Sequence, residues 1–85
     1  MDIFYTPRFT KTFRKIPKKI QLLAIKKEKI FLENLHDPRL NTHALSGEMS
    51  EYWSFSVNYQ YRIVFCFIEN NNVLFIVIGT HEVYK

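Results

Sequence analysis

Three apolar runs joined by two short polar turns constrain this chain more than any other feature. Tyr52–Val57 alternates strictly, with Trp53, Phe55 and Val57 on one side and Tyr52, Ser54 and Ser56 on the other. That period of two marks a strand with one buried face. Asn58-Tyr59-Gln60 turns the chain, and Tyr61–Ile68 follows, apolar on both faces except at Arg62. Glu69-Asn70-Asn71-Asn72 reads as a hairpin turn, because Asn tolerates left-handed backbone. Val73–Ile78 is the third run, and Gly79 breaks it. Strands with connections this short pair antiparallel. The sequence therefore predicts a three-strand meander with an apolar face to be covered.

The N-terminal half supplies the cover. Asp2–Tyr5 reads as a short first strand. Thr6-Pro7 is a helix start, with a Thr cap and Pro at the first helical position. Phe9, Phe13 and Ile16 share one helical face, and Pro17 separates this helix from the next. Lys18 to about Asn34 is the second helix. Ile20, Leu23, Ala24, Ile30, Phe31 and Leu35 form its main stripe, which Leu22, Ile25 and Leu32 widen. A stripe that wide suits a helix touching both a sheet and another helix. Asp37–Ser50 lacks periodicity and reads as a long surface loop. The expected class is α+β: an N-terminal strand and an αα-hairpin packed on one face of an antiparallel sheet, as one domain over residues 1–85.

Composition narrows the class of protein. Eight Phe and five Tyr help make 16% of the chain aromatic, and bulky rings fill a small core efficiently. The one cysteine, Cys66, has no internal disulfide partner and is expected as a small core residue, which suits a reducing cytoplasm. No apolar run approaches the ~18 residues of a membrane span, and Met1–Tyr5 does not read as a signal peptide. The expected location is cytoplasmic. Formal net charge is +4, and nine of the twelve Lys and Arg fall between Arg8 and Lys29, where Glu28 is the only acid. This stretch is either a solvated helix face or a surface that attracts an anion, RNA or an acidic protein. Lys18 and Lys19 within it are candidate RNA contacts.

No metal or cofactor is expected. His36, His43 and His81 are dispersed without cysteine partners, and Gly47 and Gly79 stand alone, so neither zinc spacing nor a phosphate loop is present. Arg62 is the odd residue of its strand. A guanidinium is not buried unpaired, so it either bridges to an acid, reaches water at an edge, or clamps a phosphate on the sheet face away from the helices, where its planar fork donates two parallel bonds. His81, just past the last strand, is the side chain type suited to proton transfer near neutral pH. Tyr84 beside it is suited to stacking on a base, and Lys85 adds charge. His43 is a second proton-transfer group or a plain loop residue. Ser54 and Ser56, on the polar side of their strand, are candidate RNA contacts rather than nucleophiles, since no nucleophile elbow surrounds them. RNA cleavage needs no more than this, because the 2′-hydroxyl supplies the nucleophile and the protein supplies proton transfer and charge stabilisation.

Taken in order, the two-helix half, Leu45-Ser46-Gly47 before Tyr52-Trp53-Ser54-Phe55-Ser56-Val57, the Tyr61-Arg62-Ile63-Val64-Phe65 strand and the ending Ile78-Gly79-Thr80-His81-Glu82-Val83-Tyr84 resemble the RelE/ParE superfamily of toxins from bacterial type II toxin–antitoxin pairs. The resemblance covers nearly the whole chain. It implies an mRNA endonuclease, often acting in the translating ribosome and neutralised by a cognate antitoxin. It also implies that Arg62 matches the phosphate-stabilising arginine of the RelE-like branch, His81 and His43 the histidines of the YafQ-like branch, and Tyr84 the terminal aromatic. RelE-like members carry lysines on the strand where this chain has Ser54 and Ser56. ParE-type members share the fold, poison DNA gyrase and lack the cleavage residues, so a gyrase-inhibiting toxin or an inactive antitoxin-binding relative is the alternative.

Overall fold

The computed structural model describes residues 1–81. The chain runs β1 (Ile3–Tyr5), α1 (Pro7–Lys15), α2 (Lys18–Glu33), β2 (His43–Ala44), β3 (Trp53–Ser56), β4 (Arg62–Ile68) and β5 (Asn72–Gly79). The five strands form one sheet in the order β1-β5-β4-β3-β2. The β3–β4–β5 meander is antiparallel throughout, as the two turns require. At the second turn Asn70 and Asn71 both take φ of 61°, the left-handed geometry that Asn tolerates.

Two features differ from the sequence expectation. The sheet is mixed, not purely antiparallel, because β1 pairs parallel with β5, Ile3 opposite Val73 and Tyr5 opposite Phe75. Alternation tells which face a strand buries, not the direction of its neighbour. The stretch 37–50 is also more ordered than a surface loop. Asp37 caps a single helical turn over Pro38–Leu40, and Leu40 is fully buried. β2 then adds to β3, with His43 opposite Ser54 and Ala44 opposite Trp53. A two-residue strand leaves no periodic signal to read.

One sheet face carries the core. Phe55, Ile63, Phe65, Val73, Phe75 and Ile78 point towards Phe9, Ala24 and Phe31 of the helices, all buried. Phe31 is the hub. Its ring lies 4.9 Å from Phe55, 5.0 Å from Phe65 and 5.6 Å from Phe75, the last two edge-on.

Local signals fix the helices over this face. Thr6 caps α1 by accepting from the Phe9 amide at 2.9 Å. Gln21 donates to the carbonyls of Phe13 (2.9 Å) and Ile16 (3.3 Å), satisfying the end of α1 across the Pro17 break. β1 stops at Tyr5, so the rest of the β5 edge lacks a strand, and α1 closes it. The Thr6 hydroxyl donates to the Ile76 carbonyl at 2.7 Å, and the Ile78 amide donates to Thr12 Oγ1 at 3.2 Å. Ile76 is the extra residue of a β-bulge, for Phe65 pairs with Phe75 and Val64 with Val77.

α2 does not bury the whole stripe expected of it: Leu22, Ile25 and Leu32 are 59%, 44% and 47% exposed. Cys66 is half-buried on the sheet face away from the helices and is not part of the core. Burial, with Glu51 nearby, raises its thiol above the ordinary range. Among the described residues no helix is long and apolar enough to cross a membrane.

Candidate active site

The sheet face away from the helices is built by strand alternation. Ser54 and Ser56 of β3, Arg62 and Val64 of β4, and Val77 and Gly79 of β5 share it, in two rows: Ser54–Val64–Val77 and Ser56–Arg62–Gly79. His43 of β2 extends the first row beyond Ser54.

Arg62 has small neighbours on both flanks, a serine on one side and a glycine on the other. The residue is half-buried, and among the described residues its guanidinium makes one long bond, 3.5 Å to the Tyr59 carbonyl. The only ion pair among the described residues is Arg39 with Asp37, so no carboxylate there neutralises Arg62. Of the options open in the sequence, a salt bridge of Arg62 is absent among the described residues. What remains is a half-buried cation set between Ser56 and Gly79, whose planar fork suits a phosphate.

His43 is exposed, and its Nδ1 lies 2.8 Å from the Asn41 carbonyl. A carbonyl only accepts, so Nδ1 carries a proton, and in the neutral ring the lone pair is on Nε2. Strand spacing and rise put the His43 and Arg62 backbones about 12 Å apart across the sheet. Both side chains are long enough to approach one nucleotide between them.

His81 is exposed and lies two residues past Gly79, the register partner of Arg62. The backbone therefore carries both residues to one end of the sheet. Lys18 and Lys19 come to this end as well. Thr6 meets Ile76 and Thr12 meets Ile78, so α1 advances along β5 towards Gly79, and the start of α2 follows within a few residues. Both lysines are exposed, on the helical side of that end.

One sequence expectation fails here. Ser54 is fully buried, and its hydroxyl has no hydrogen-bond partner among the described residues, which does not suit an RNA contact. Ser56, beside Arg62, stays half-exposed. Alternation gives both serines the same face, but how far each is buried there is a tertiary effect. Tyr84 and Lys85 lie outside the described residues. Tyr59 was missed in the sequence. It is 85% exposed at the tip of the β3–β4 turn, where Asn58 Oδ1 accepts from the Gln60 amide at 2.9 Å and the Tyr61 amide at 2.7 Å. The signal available was an aromatic between two polar turn residues.

No protein-family model matches the sequence, and no curated protein matches it. Solved structures do match. A YoeB/ParE toxin from Agrobacterium tumefaciens superposes with a TM-score of 0.79 at 14% identity, covering 95% of this chain and 99% of that one. YafQ from Escherichia coli strain BL21(DE3) gives 0.76 at 18% identity, over 98% and 96%. The toxin–antitoxin complex RelBE2 from Mycobacterium tuberculosis contains a chain that gives 0.78 at 13% identity, over 94% and 96%. The fold is thus that of small toxins from toxin–antitoxin pairs. Within that class it is the fold of the RelE/ParE superfamily, present over nearly the full length of both partners in each comparison.

Proposed function

We propose that this chain is the toxin of a type II toxin–antitoxin pair, an endoribonuclease that cleaves mRNA in the cytoplasm, on the ribosome, and is held inactive by a cognate antitoxin. The observation that carries this reading is Arg62, a cation without a described acidic partner, set between Ser56 and Gly79 on the sheet face away from the helices. The likeness in fold to YafQ and to the RelBE2 complex supports it.

In this reading the 2′-oxygen of one ribose attacks the adjoining phosphorus, and the bond from phosphorus to the 5′-oxygen of the next nucleotide breaks. The His43 Nε2 lone pair takes the 2′-hydroxyl proton, while His81, entering as imidazolium, gives a proton to the leaving 5′-oxygen. Arg62 donates to the non-bridging oxygens, whose charge grows in the transition state. Tyr59, and Tyr84 beyond the described residues, stack on flanking bases. Lys18, Lys19, Lys85 and Ser56 contact neighbouring phosphates and sugars. The products are a 2′,3′-cyclic phosphate and a 5′-hydroxyl, and no metal takes part.

The test is incubation of mRNA with purified protein, alone and with translating ribosomes, followed by primer extension. Discrete cuts that disappear in His81→Ala and Arg62→Ala, with folding retained, are expected. Intact RNA under both conditions opposes the reading. One observation favours a second reading. Ser54, Val64 and Val77 fill the face between His43 and Arg62, so no second cation stands there. A toxin that binds DNA gyrase, or a relative that only binds an antitoxin, needs none. Inhibition of supercoiling by purified gyrase, with RNA left intact, identifies the former.

A further inference from the structure

The turn between β3 and β4 divides its work among three neighbouring side chains. Asn58 is spent on the turn itself. Its Oδ1 accepts from the Gln60 amide at 2.9 Å and from the Tyr61 amide at 2.7 Å. The Val57 amide closes the base of the turn by donating to the Tyr61 carbonyl at 2.9 Å. A side chain that bonds the backbone two residues on fixes the tip it encloses. Tyr59 occupies that tip, 85% exposed, and no aromatic ring among the described residues packs on it. A large ring held in water on a fixed turn loses little entropy when a flat ligand covers it. Gln60 is exposed as well, and its side-chain amide bonds no described residue. Tyr61 packs against the core, with Gln60 and Arg62 on either side of it. The Tyr59 carbonyl is also the acceptor of the Arg62 guanidinium. At most about 7 Å of backbone separates Gln60 from Arg62.

We infer that this turn is the base-reading element of the site, with Gln60 as the residue that sets base preference and adenine as the base it selects. Three groups meet three parts of one nucleotide. Arg62 holds the phosphate, the Tyr59 ring stacks on the base, and the Gln60 amide bonds the edge of that base. The amide presents an acceptor beside a donor. Adenine presents the complement, the N6 amino group beside the N7 acceptor, so two parallel hydrogen bonds form. Guanine shows two acceptors on the same edge, O6 and N7, which suit a cation and not an amide. Pyrimidines match an amide on their pairing edge, but a single ring covers less of the Tyr59 phenol than a purine does, and stacking strength sets such preferences. Asn58 cannot substitute as the reader, because its carbonyl oxygen is already committed to two backbone amides. The inference deepens the nuclease reading and rests on it for the choice of RNA as ligand.

The probes are fluorescent oligouridine hexamers with 2′-fluoro sugars, which no 2′-oxygen can cleave, carrying adenine, cytosine, guanine or uracil at one central position. Binding to the purified full chain is read by anisotropy. The adenine hexamer is expected to bind about tenfold tighter than the all-uracil one. Gln60→Ala is expected to erase that gap while keeping the affinity for uracil. Tyr59→Ala is expected to weaken every hexamer about tenfold, and Tyr59→Phe to bind as the parent does, since the ring and not the hydroxyl stacks. Both residues are exposed, so the variants keep the fold, which circular dichroism checks. The inference is overturned if the parent shows no adenine gap, if the gap survives in Gln60→Ala, or if Tyr59→Ala binds as the parent does. Primer extension on mRNA with translating ribosomes separates the two proposals. Cuts whose flanking bases are the same for the parent and Gln60→Ala remove this inference and leave the nuclease reading standing. A Gln60-dependent adenine gap in the hexamers with no mRNA cut does the reverse.

Discussion

Replacing Phe31 by alanine removes the ring on which the helical layer and the sheet close. The side chain is fully buried, and three other phenylalanines contact it within 5.6 Å. Loss of a buried Phe costs about 3–5 kcal/mol from transfer and cavity together. The edge-on and stacked geometry here keeps the loss above the lower end of that range, since aromatic pairs add about 0.5–1.5 kcal/mol beyond area. We take about 4 kcal/mol. Domains of this size are stable by only about 4–13 kcal/mol in all, so the variant is expected to lose a third or more of its stability. In a domain this small the melting temperature falls by about 16–32 °C. Urea titration followed by far-ultraviolet circular dichroism measures the loss, with the slope of the transition unchanged if the same surface is exposed. Leu32→Ala is the control. It is the next residue on the same helix, is 47% exposed, and should cost no more than about 0.5 kcal/mol in the isolated chain. A loss below about 1.5 kcal/mol for Phe31→Ala, or an equal loss for both variants, refutes the assignment of the hub.

Three further outcomes are expected. Ser54→Ala removes a buried hydroxyl without a partner among the described residues, so stability should be unchanged or rise by about 1 kcal/mol, and RNA binding should be unaffected; weaker RNA binding by the folded variant restores Ser54 as a contact. Thr6→Ala loses both the α1 cap and the bond to Ile76, and a thermal melt should report a loss of about 1–2 kcal/mol. The Arg39 side chain and amide hold the Asp37 carboxyl at about 2, below its ordinary 3.8. A lowered folded value stabilises above the ordinary one, so this contribution is complete above pH 3.8 and is lost as pH falls towards 2. Melts of the parent and Asp37→Asn across that window should therefore converge at the acid end, and curves that stay parallel contradict the pairing.

The meander was legible because its signals are local. Strict alternation at Trp53, Phe55 and Val57 gave the buried face of β3, and the Asn run gave the hairpin. Thr6-Pro7 gave the start of α1 for the same reason. β2 was not legible, because His43 and Ala44 are too few to show a period and pair through register with Ser54 and Trp53. The direction of β1 was hidden too, since Ile3 and Tyr5 face the core whether the neighbour runs parallel or antiparallel. At the candidate site, Arg62 stood out as a charge in an apolar run. The burial of Ser54 and the exposure of Leu22, Ile25 and Leu32 depend on how far neighbouring elements reach. Periodicity does not encode that distance.

The most direct test of the account is a mass measurement on a cleaved RNA oligonucleotide, run beside the same oligonucleotide with a single 2′-deoxy sugar at the scissile position. The account predicts a 5′ fragment ending in a 2′,3′-cyclic phosphate, no cut in the deoxy substrate, and at least about a hundredfold slower cutting by Arg62→Ala. A deoxy substrate cut as fast as the RNA, or an Arg62→Ala enzyme as fast as the parent, contradicts it.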